Sequence, residues 1–193
     1  IRRLHASARR LPADQALSLT HILLTREEDL DDPFLPLMLW WALDAQVDHA
    51  REDLLALLED PEFRKLPMVE RHVLPRILRR FALQGRRQDL LACARLLRLA
   101  TDKAETTKLL EGFEKAYEGR LMEGLPQELV EALAKVGRSS LTLRLRLGEP
   151  KAMVEALAKV ADRKTPEAER LALVRSLGEL KKPSAAPVLL SLA

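Results

Sequence analysis

The sequence Val-Glu-Ala-Leu-Ala-Lys-Val occupies Val130–Val136 and occurs a second time, unchanged, at Val154–Val160. The two copies start 24 residues apart, a distance that suits one helix and its connection to the next. A short repeat at this spacing is typical of stacked helical units. It favours an extended array of helices over one closed globule.

The composition agrees with a helical fold. Hydrophobic residues make up 47% and charged residues 32% of the 193 residues, which excludes a disordered or membrane-embedded chain. Aromatic residues are only 4%, and seven glycines are few for a protein built from β-turns and strands. The longest apolar stretch, Phe34–Leu43, is far shorter than the roughly 20 residues that cross a bilayer. We therefore predict an all-α fold without a membrane span.

Proline and polar residues mark the predicted helix ends. Thr165-Pro166-Glu167 begins a helix that Lys181-Lys182-Pro183 ends, and a short helix Ser184–Leu192 follows. Pro67 begins another helix, in which Pro75 predicts a kink because proline removes a backbone donor. The other predicted helices run from Arg86 to Ala100, from the Asp102 cap to about Tyr117, from Leu125-Pro126 to Gly137, and from Glu149-Pro150 onward.

One segment has a conflicting pattern. Leu141–Leu147 alternates apolar and polar residues with period two, which alone indicates a strand. A strand there would have no partner in an otherwise helical chain, so we predict a short helix. With it, the chain holds about twelve helices in six pairs, starting near residues 3, 34, 67, 103, 139 and 166. No linker interrupts them, and we expect one continuous array over residues 1–193.

Charge is strongly segregated along the chain. Residues 27–62 contain twelve acids and a single base, Arg51, whereas residues 64–98 contain ten bases and two acids, Glu70 and Asp89. One interpretation is that neighbouring hairpins of opposite charge pair with each other. The other is a basic surface that binds an acidic partner or phosphate. Its candidate residues are Arg76, Arg79, Arg80, Arg86 and Arg87.

The adjacent tryptophans Trp40 and Trp41 are a second candidate site. Neighbouring side chains point about 100° apart on a helix, so this helix is apolar on most sides. It either packs centrally on both faces or exposes one indole that anchors a partner.

No pattern of residues predicts catalysis or metal binding. None of His5, His21, His49 and His72 has a second histidine at helical spacing, and none lies in a metal-ligand motif. Asp31-Asp32 is typical of a helix cap, with an acidic metal loop as the alternative. Ser139-Ser140 has no nearby histidine, so serine there is also predicted to cap a helix. Cys93, the only cysteine, is predicted to be a buried thiol.

The C-terminal region resembles a HEAT repeat. In Glu169–Leu180, Val174-Arg175 lies mid-helix and Leu177-Gly178 near its end, and Pro183 leads into the next helix. The resemblance implies a HEAT/armadillo-like α-solenoid (an α-α superhelix) of about six helical hairpins, the number of pairs predicted above.

Three further segments are similar to the helical midsection of large planctomycetal-type haem-binding proteins, which are often labelled membrane-bound dehydrogenase-like. They are Asp31–Leu43, Leu90–Leu97 and Gly112–Gly119. That family places a sugar-dehydrogenase-like propeller before the helical region and a c-type cytochrome domain after it. The resemblance implies an extracytoplasmic, for example periplasmic, electron-transfer parent. This chain contains no Cys-x-x-Cys-His, so haem c would belong to a flanking domain.

We therefore expect a non-catalytic scaffold that binds flanking domains of its own polypeptide or another protein, with no cofactor or small-molecule substrate in this segment. The chain begins Ile-Arg-Arg and stops in mid-pattern, which suggests a piece of a larger protein. One alternative is a stand-alone module whose basic hairpin, residues 64–98, binds protein or nucleic acid. Nucleic acid is the less favoured ligand because only Phe81 is near enough to stack on bases. The other alternative is a HEAT-fold enzyme that acts on nucleic acid.

Overall fold

The computed structural model describes residues 11–118, 120, 122–136, 140–180, 186 and 190. These residues form eleven α-helices and contain no β-strand, which confirms the prediction of an all-α fold. Contacts between Cα atoms divide the chain into two compact units, Ile1–Ala116 and Tyr117–Ala193. That the whole chain forms one continuous array stays a prediction.

The first unit contains seven of the α-helices, with a 3₁₀ turn at Glu27–Asp29 and a π-helical segment at Val69–Val73. The helices are α1 (Ala13–Leu24), α2 (Leu35–Asp44), α3 (Arg51–Glu59), α4 (Pro61–Arg64), α5 (Leu74–Gln84), α6 (Arg87–Leu99) and α7 (Lys103–Ala116). Helix α5 packs against α2, α6 and α7, and α3 packs against α6. The largest buried side chains include Phe63, Phe81 and Phe113.

Two of the predicted caps in this unit are present. Asp32 Oδ1 accepts hydrogen bonds from the backbone N–H groups of Phe34 at 2.8 Å and Leu35 at 2.9 Å, at the start of α2. Asp102 Oδ1 accepts one from Glu105 at 2.8 Å, at the start of α7. Side-chain oxygens of this kind satisfy the backbone donors that the first turn of a helix leaves unpaired.

A π-helical turn precedes Pro75, where the sequence predicts a kink. Helical structure begins at Pro67, as predicted, and the turn before α5 is a π-helix, Val69–Val73. In a regular helix the proline ring would clash with the carbonyl group of Arg71, four residues earlier. Proline also lacks the N–H group that would bond to that carbonyl. A π turn widens the helix at this point, so the helical structure continues through Pro75.

The second unit contains α8 (Gln127–Val136), α9 (Leu141–Arg146), α10 (Pro150–Ala161) and α11 (Glu167–Leu180). The helix at α9 confirms that the local strand pattern of Leu141–Leu147 was misleading, and Ser140 Oγ caps it by accepting from the Leu143 N–H at 3.2 Å. Helices α9, α10 and α11 pack around one core. Its buried members are Leu145, Ala152, Ala156, Val160, Leu173 and Leu177.

Both copies of the repeated sequence are helical, one in α8 and one in α10. Ala132 and Ala156, which occupy the same position in the two copies, are both buried, and Glu131 and Glu155 are both exposed. These two positions therefore have the same environment in both copies, whereas the first valine is half-buried at Val130 and exposed at Val154. The predicted closure of α8 at Gly137 and most of the predicted helix Ser184–Leu192 lie outside the described residues.

Candidate functional site

Two of the five arginines that the sequence marked as a basic surface, Arg80 and Arg86, contact acids of the preceding segment. Arg80 donates from Nε to Asp44 Oδ1 at 2.7 Å and from Nη2 to Asp48 Oδ2 at 3.0 Å. Arg86 donates from Nη2 to the other oxygen of Asp48 at 2.5 Å. One carboxylate thus bridges Arg80 and Arg86, and these contacts join α2 and the turn after it to α5 and the start of α6.

The alternating contacts of acidic and basic side chains continue into the interior at Asp89. This carboxylate is fully buried and accepts from Arg86 Nε at 2.6 Å and from Arg51 Nη2 at 2.6 Å. Arg51 is the one base of the acidic segment, and Asp89 is one of the two acids of the basic segment. Two of the three residues that break the charge pattern of their own segments, Arg51 and Asp89, therefore pair with each other.

A parallel set of contacts joins α6 to α3. Arg95 donates from Nη1 to Glu52 Oε2 at 3.0 Å and from Nε to Glu59 Oε1 at 2.5 Å. At the other end of the segment, Arg71 Nη1 donates to Asp31 at 2.7 Å. Contacts of this kind are what the pairing interpretation of the charge pattern predicts.

The pairing also changes the acidity of the groups. The hydrogen bond from Arg86 lowers the pKa of Asp48, with a smaller contribution from the charge of Arg80. The hydrogen bond from Arg95 lowers the pKa of Glu59 in the same way. The carboxylates in turn raise the pKa of Arg86, mainly through Asp48, and of Arg95, mainly through Glu59. Each partner holds the other in its charged form.

The five candidate arginines have different surroundings. Arg80 and Arg86 are bridged by Asp48. Arg76 is half-buried and donates from Nη1 to the His72 carbonyl at 2.7 Å, and desolvation lowers its pKa. Arg79 and Arg87 are both exposed.

A buried ion pair that the sequence analysis missed connects three helix ends. Arg64 binds Glu105 through Nε, and both side chains are more than nine-tenths buried. Its Nη1 donates to the carbonyl groups of Leu58 and Glu59, each at 2.9 Å, and its Nη2 to that of Leu99 at 2.9 Å. Arg64 therefore caps the C-terminal ends of α3 and α6 while it holds the N-terminal end of α7. Its partner lies 41 residues away, so no local pattern indicates the pair.

The two tryptophans have opposite surroundings. Trp40 is buried, whereas Trp41 is 48% exposed. Leu37, one turn earlier on α2, is 37% exposed, and Phe34 at the residue before the helix is 58% exposed. These positions follow the spacing i, i+3, i+7, so they form one apolar ridge along α2, which we call the α2 ridge.

The remaining polar candidates have structural contacts. His72 Nε2 lies 3.2 Å from the Leu30 carbonyl oxygen, and the His21 ring contacts Phe63 edge-on. Asp31 and Asp32 bind Arg71 and the start of α2, as given above. Across the part of the chain that is described, no three His, Cys, Asp or Glu side chains converge as metal ligands would.

Cys93 is buried, as predicted, and lies 3.8 Å from the Leu78 carbonyl oxygen. Burial raises the pKa of its thiol, and the nearby charge of Asp89 adds to the effect. A protonated, enclosed thiol is a poor nucleophile.

No family model, curated protein or solved structure matches this chain. Within the described ranges, no helix combines the length and the apolar character that crossing a bilayer requires.

Proposed function

We propose that this chain is a non-catalytic helical scaffold that holds neighbouring domains at a fixed separation. Its helical hairpins would stack as a HEAT/armadillo-like solenoid. The observation that carries the proposal is the pairing of the segregated charges: Arg51, Arg80, Arg86 and Arg95 all bind carboxylates of other helices or turns. Side chains engaged in this way stabilise an arrangement of helices and are not available to a substrate.

The helix contacts of the first unit support the stacked arrangement. Helix α2 contacts α5 and α5 contacts α7, while α3 contacts α6. With the one-turn helix α4 left out of the count, each of these pairs is separated by one helix, so alternate helices pack on one another. Two layers of alternate helices are the pattern of helical-hairpin repeats. The most extensive contact, between α5 and α7, joins one predicted hairpin to the next.

The wider context of this role comes from the sequence resemblance alone. It would place the scaffold between a sugar-dehydrogenase-like propeller and a c-type cytochrome domain in an extracytoplasmic electron-transfer protein. In that setting haem c belongs to the flanking domain, and the scaffold sets the distance between the two redox domains.

Time-resolved energy transfer between two fluorescent reporter domains, fused to the two ends of the chain, tests the spacing role. The proposal predicts a narrow distribution of distances. A Gly/Ser linker of equal length provides the control, because such linkers behave as flexible coils. A distribution as broad as that of the linker, from a chain whose circular dichroism shows it to be folded, would rule out a rigid spacer.

A further inference from the structure

The α2 ridge is an exposed apolar surface on a helix whose opposite face is buried. Leu39 and Leu43 of α2 are completely buried, whereas Leu37 and Trp41 are exposed. From Phe34 to Trp41 the ridge is about 10 Å long at helical rise, or two turns. Tryptophan is enriched among the residues that dominate binding energy at protein interfaces.

The turn before the ridge is acidic. Residues 26–32 hold five carboxylates and one base, Arg26. Arg26 pairs with Glu28 at 2.7 Å and Asp29 at 3.0 Å, and Arg71 pairs with Asp31 at 2.7 Å. Counted along the sequence, the five carboxylates outnumber the one arginine of this turn, so negative charge is in excess at the Phe34 end of the ridge.

The other end of the ridge is closer to neutral. Asp44, one turn beyond Trp41, and Asp48 in the following turn are both bound by Arg80. The ridge therefore has a polarity along its axis: negative at its N-terminal end and nearly balanced at its C-terminal end.

We propose that the α2 ridge docks an amphipathic helix of a partner polypeptide, with the basic residues of that helix lying against the acidic turn. A two-turn ridge one helix wide matches the apolar stripe of a single helix, whose anchors recur at i, i+3, i+4 and i+7. The charge of the turn selects a basic partner, and it disfavours an anionic lipid surface. This surface goes beyond the scaffold role, since a rigid spacer needs no such ridge.

The test measures binding of a labelled synthetic peptide by fluorescence anisotropy. The probe is a Leu/Lys peptide of about four turns, roughly 14 residues, with Leu at helical spacing. A peptide of the same pattern with Glu in place of Lys, and a scrambled Leu/Lys peptide, are the two controls. The full chain is expected to bind the Leu/Lys helix and neither control.

Matched variants locate the surface. We expect Trp41→Ala to weaken binding about 30-fold, because it removes the central anchor. Leu83→Ala, at an exposed leucine of α5, provides the control and should leave affinity unchanged. Glu27→Lys in the acidic turn should weaken binding about threefold, whereas Asp53→Lys, an equal charge change at an exposed site on α3, should not. Thermal unfolding confirms that each variant is folded.

Three outcomes would overturn the proposal. The first is an affinity of Trp41→Ala for the Leu/Lys peptide that lies within about twofold of the parent chain's affinity. Loss of a true anchor residue must weaken binding by more than that. The second is equal binding of the Leu/Glu peptide. The third is self-association of the chain, or its binding to anionic vesicles, if Trp41→Ala abolishes it. Self-association would make a second copy of the chain the occupant of the ridge, and vesicle binding would make a lipid surface the occupant. Each of them leaves the scaffold role standing, because energy transfer between the chain ends tests that role separately.

Discussion

Gly112 of α7 lies directly against the backbone of Pro75 in α5, with no room for a side chain between them. A Cβ atom at residue 112 would lie 2.7 Å from the carbonyl carbon and 2.9 Å from the Cα of Pro75, and closer still to the carbonyl oxygen. Real Cβ atoms do not approach backbone atoms so closely. The close crossing of α5 and α7 therefore depends on glycine at this position.

Gly112→Ala should lower the free energy of unfolding by about 3 kcal/mol, since the added methyl group forces two packed helices apart. Urea unfolding followed by circular dichroism measures the change. Gly178→Ala in α11 is the matched control, because a Cβ there meets nothing within 4 Å. That change should stabilise its helix by up to about 1 kcal/mol, as alanine is the better helix former. Equal effects of the two substitutions would contradict the close crossing.

Arg64→Met should cost about 3–5 kcal/mol, because it leaves the buried Glu105 carboxylate without its cation. The carbonyl groups of Leu58 and Leu99 lose their donor as well. Urea unfolding of Arg64→Met, Glu105→Leu and the double variant forms a complete cycle. We expect the double variant to be more stable than the sum of the single effects implies, since it removes both buried charges together. Strict additivity would show that the two side chains do not interact.

His72 should make stability depend on pH. Desolvation lowers its pKa below the ordinary 6.5, and the charges of Arg76 and Arg71 lower it further. The hydrogen bond with the Leu30 carbonyl and the charge of Asp31 raise the pKa, but they do not reverse the shift. The unfolded chain therefore binds the proton more readily than the folded chain. This contribution to stability is complete above about pH 6.5 and is lost as pH falls through the folded-state pKa.

Comparison of His72→Gln with the parent chain isolates this contribution, since the glutamine amide can still donate to the Leu30 carbonyl. Urea unfolding at a series of pH values from about 7.5 to 5 should show a shallower loss of stability in the variant. Identical pH profiles would exclude His72 as the origin of the dependence.

Cys93 should resist thiol reagents as long as the chain is folded. Its side chain is buried and its pKa is raised, so neither access nor thiolate is available. Ellman's reagent should react slowly with the native chain and at once with the chain in strong denaturant. A replacement of an exposed residue by cysteine, Asp53→Cys, provides the reactive control. Equal native rates for Cys93 and that control would contradict the buried position.

Local signals sufficed for much of the helical structure. Pro150, Asp32 and Asp102 each mark a helix start because capping and proline geometry act within one turn. Local signals did not suffice for the helix at Leu141–Arg146, because its period-two pattern favours a strand. Only the absence of a strand partner elsewhere in the sequence argues for a helix there. Secondary structure there is decided by tertiary context.

The candidate sites show the limit of this reasoning. The sequence separates acids from bases, but it does not reveal that Asp48 bridges Arg80 and Arg86 or that Arg64 finds Glu105. The partners in these pairs lie 32 to 41 residues apart in the sequence, so the pairs depend on which helices pack together. In the same way, Trp40 and Trp41 are alike in sequence, and only helix packing decides that Trp41 is the exposed one.

The central claim is that the charges of residues 27–62 and 64–98 stabilise the fold by pairing with each other. The coupling free energy between Arg51 and Asp89, from urea unfolding of Arg51→Met, Asp89→Asn and the double variant, tests it most directly, because each residue is an exception in its own segment. The account predicts a favourable coupling of about 1–3 kcal/mol. A coupling of zero, with the two single effects simply adding, would contradict it.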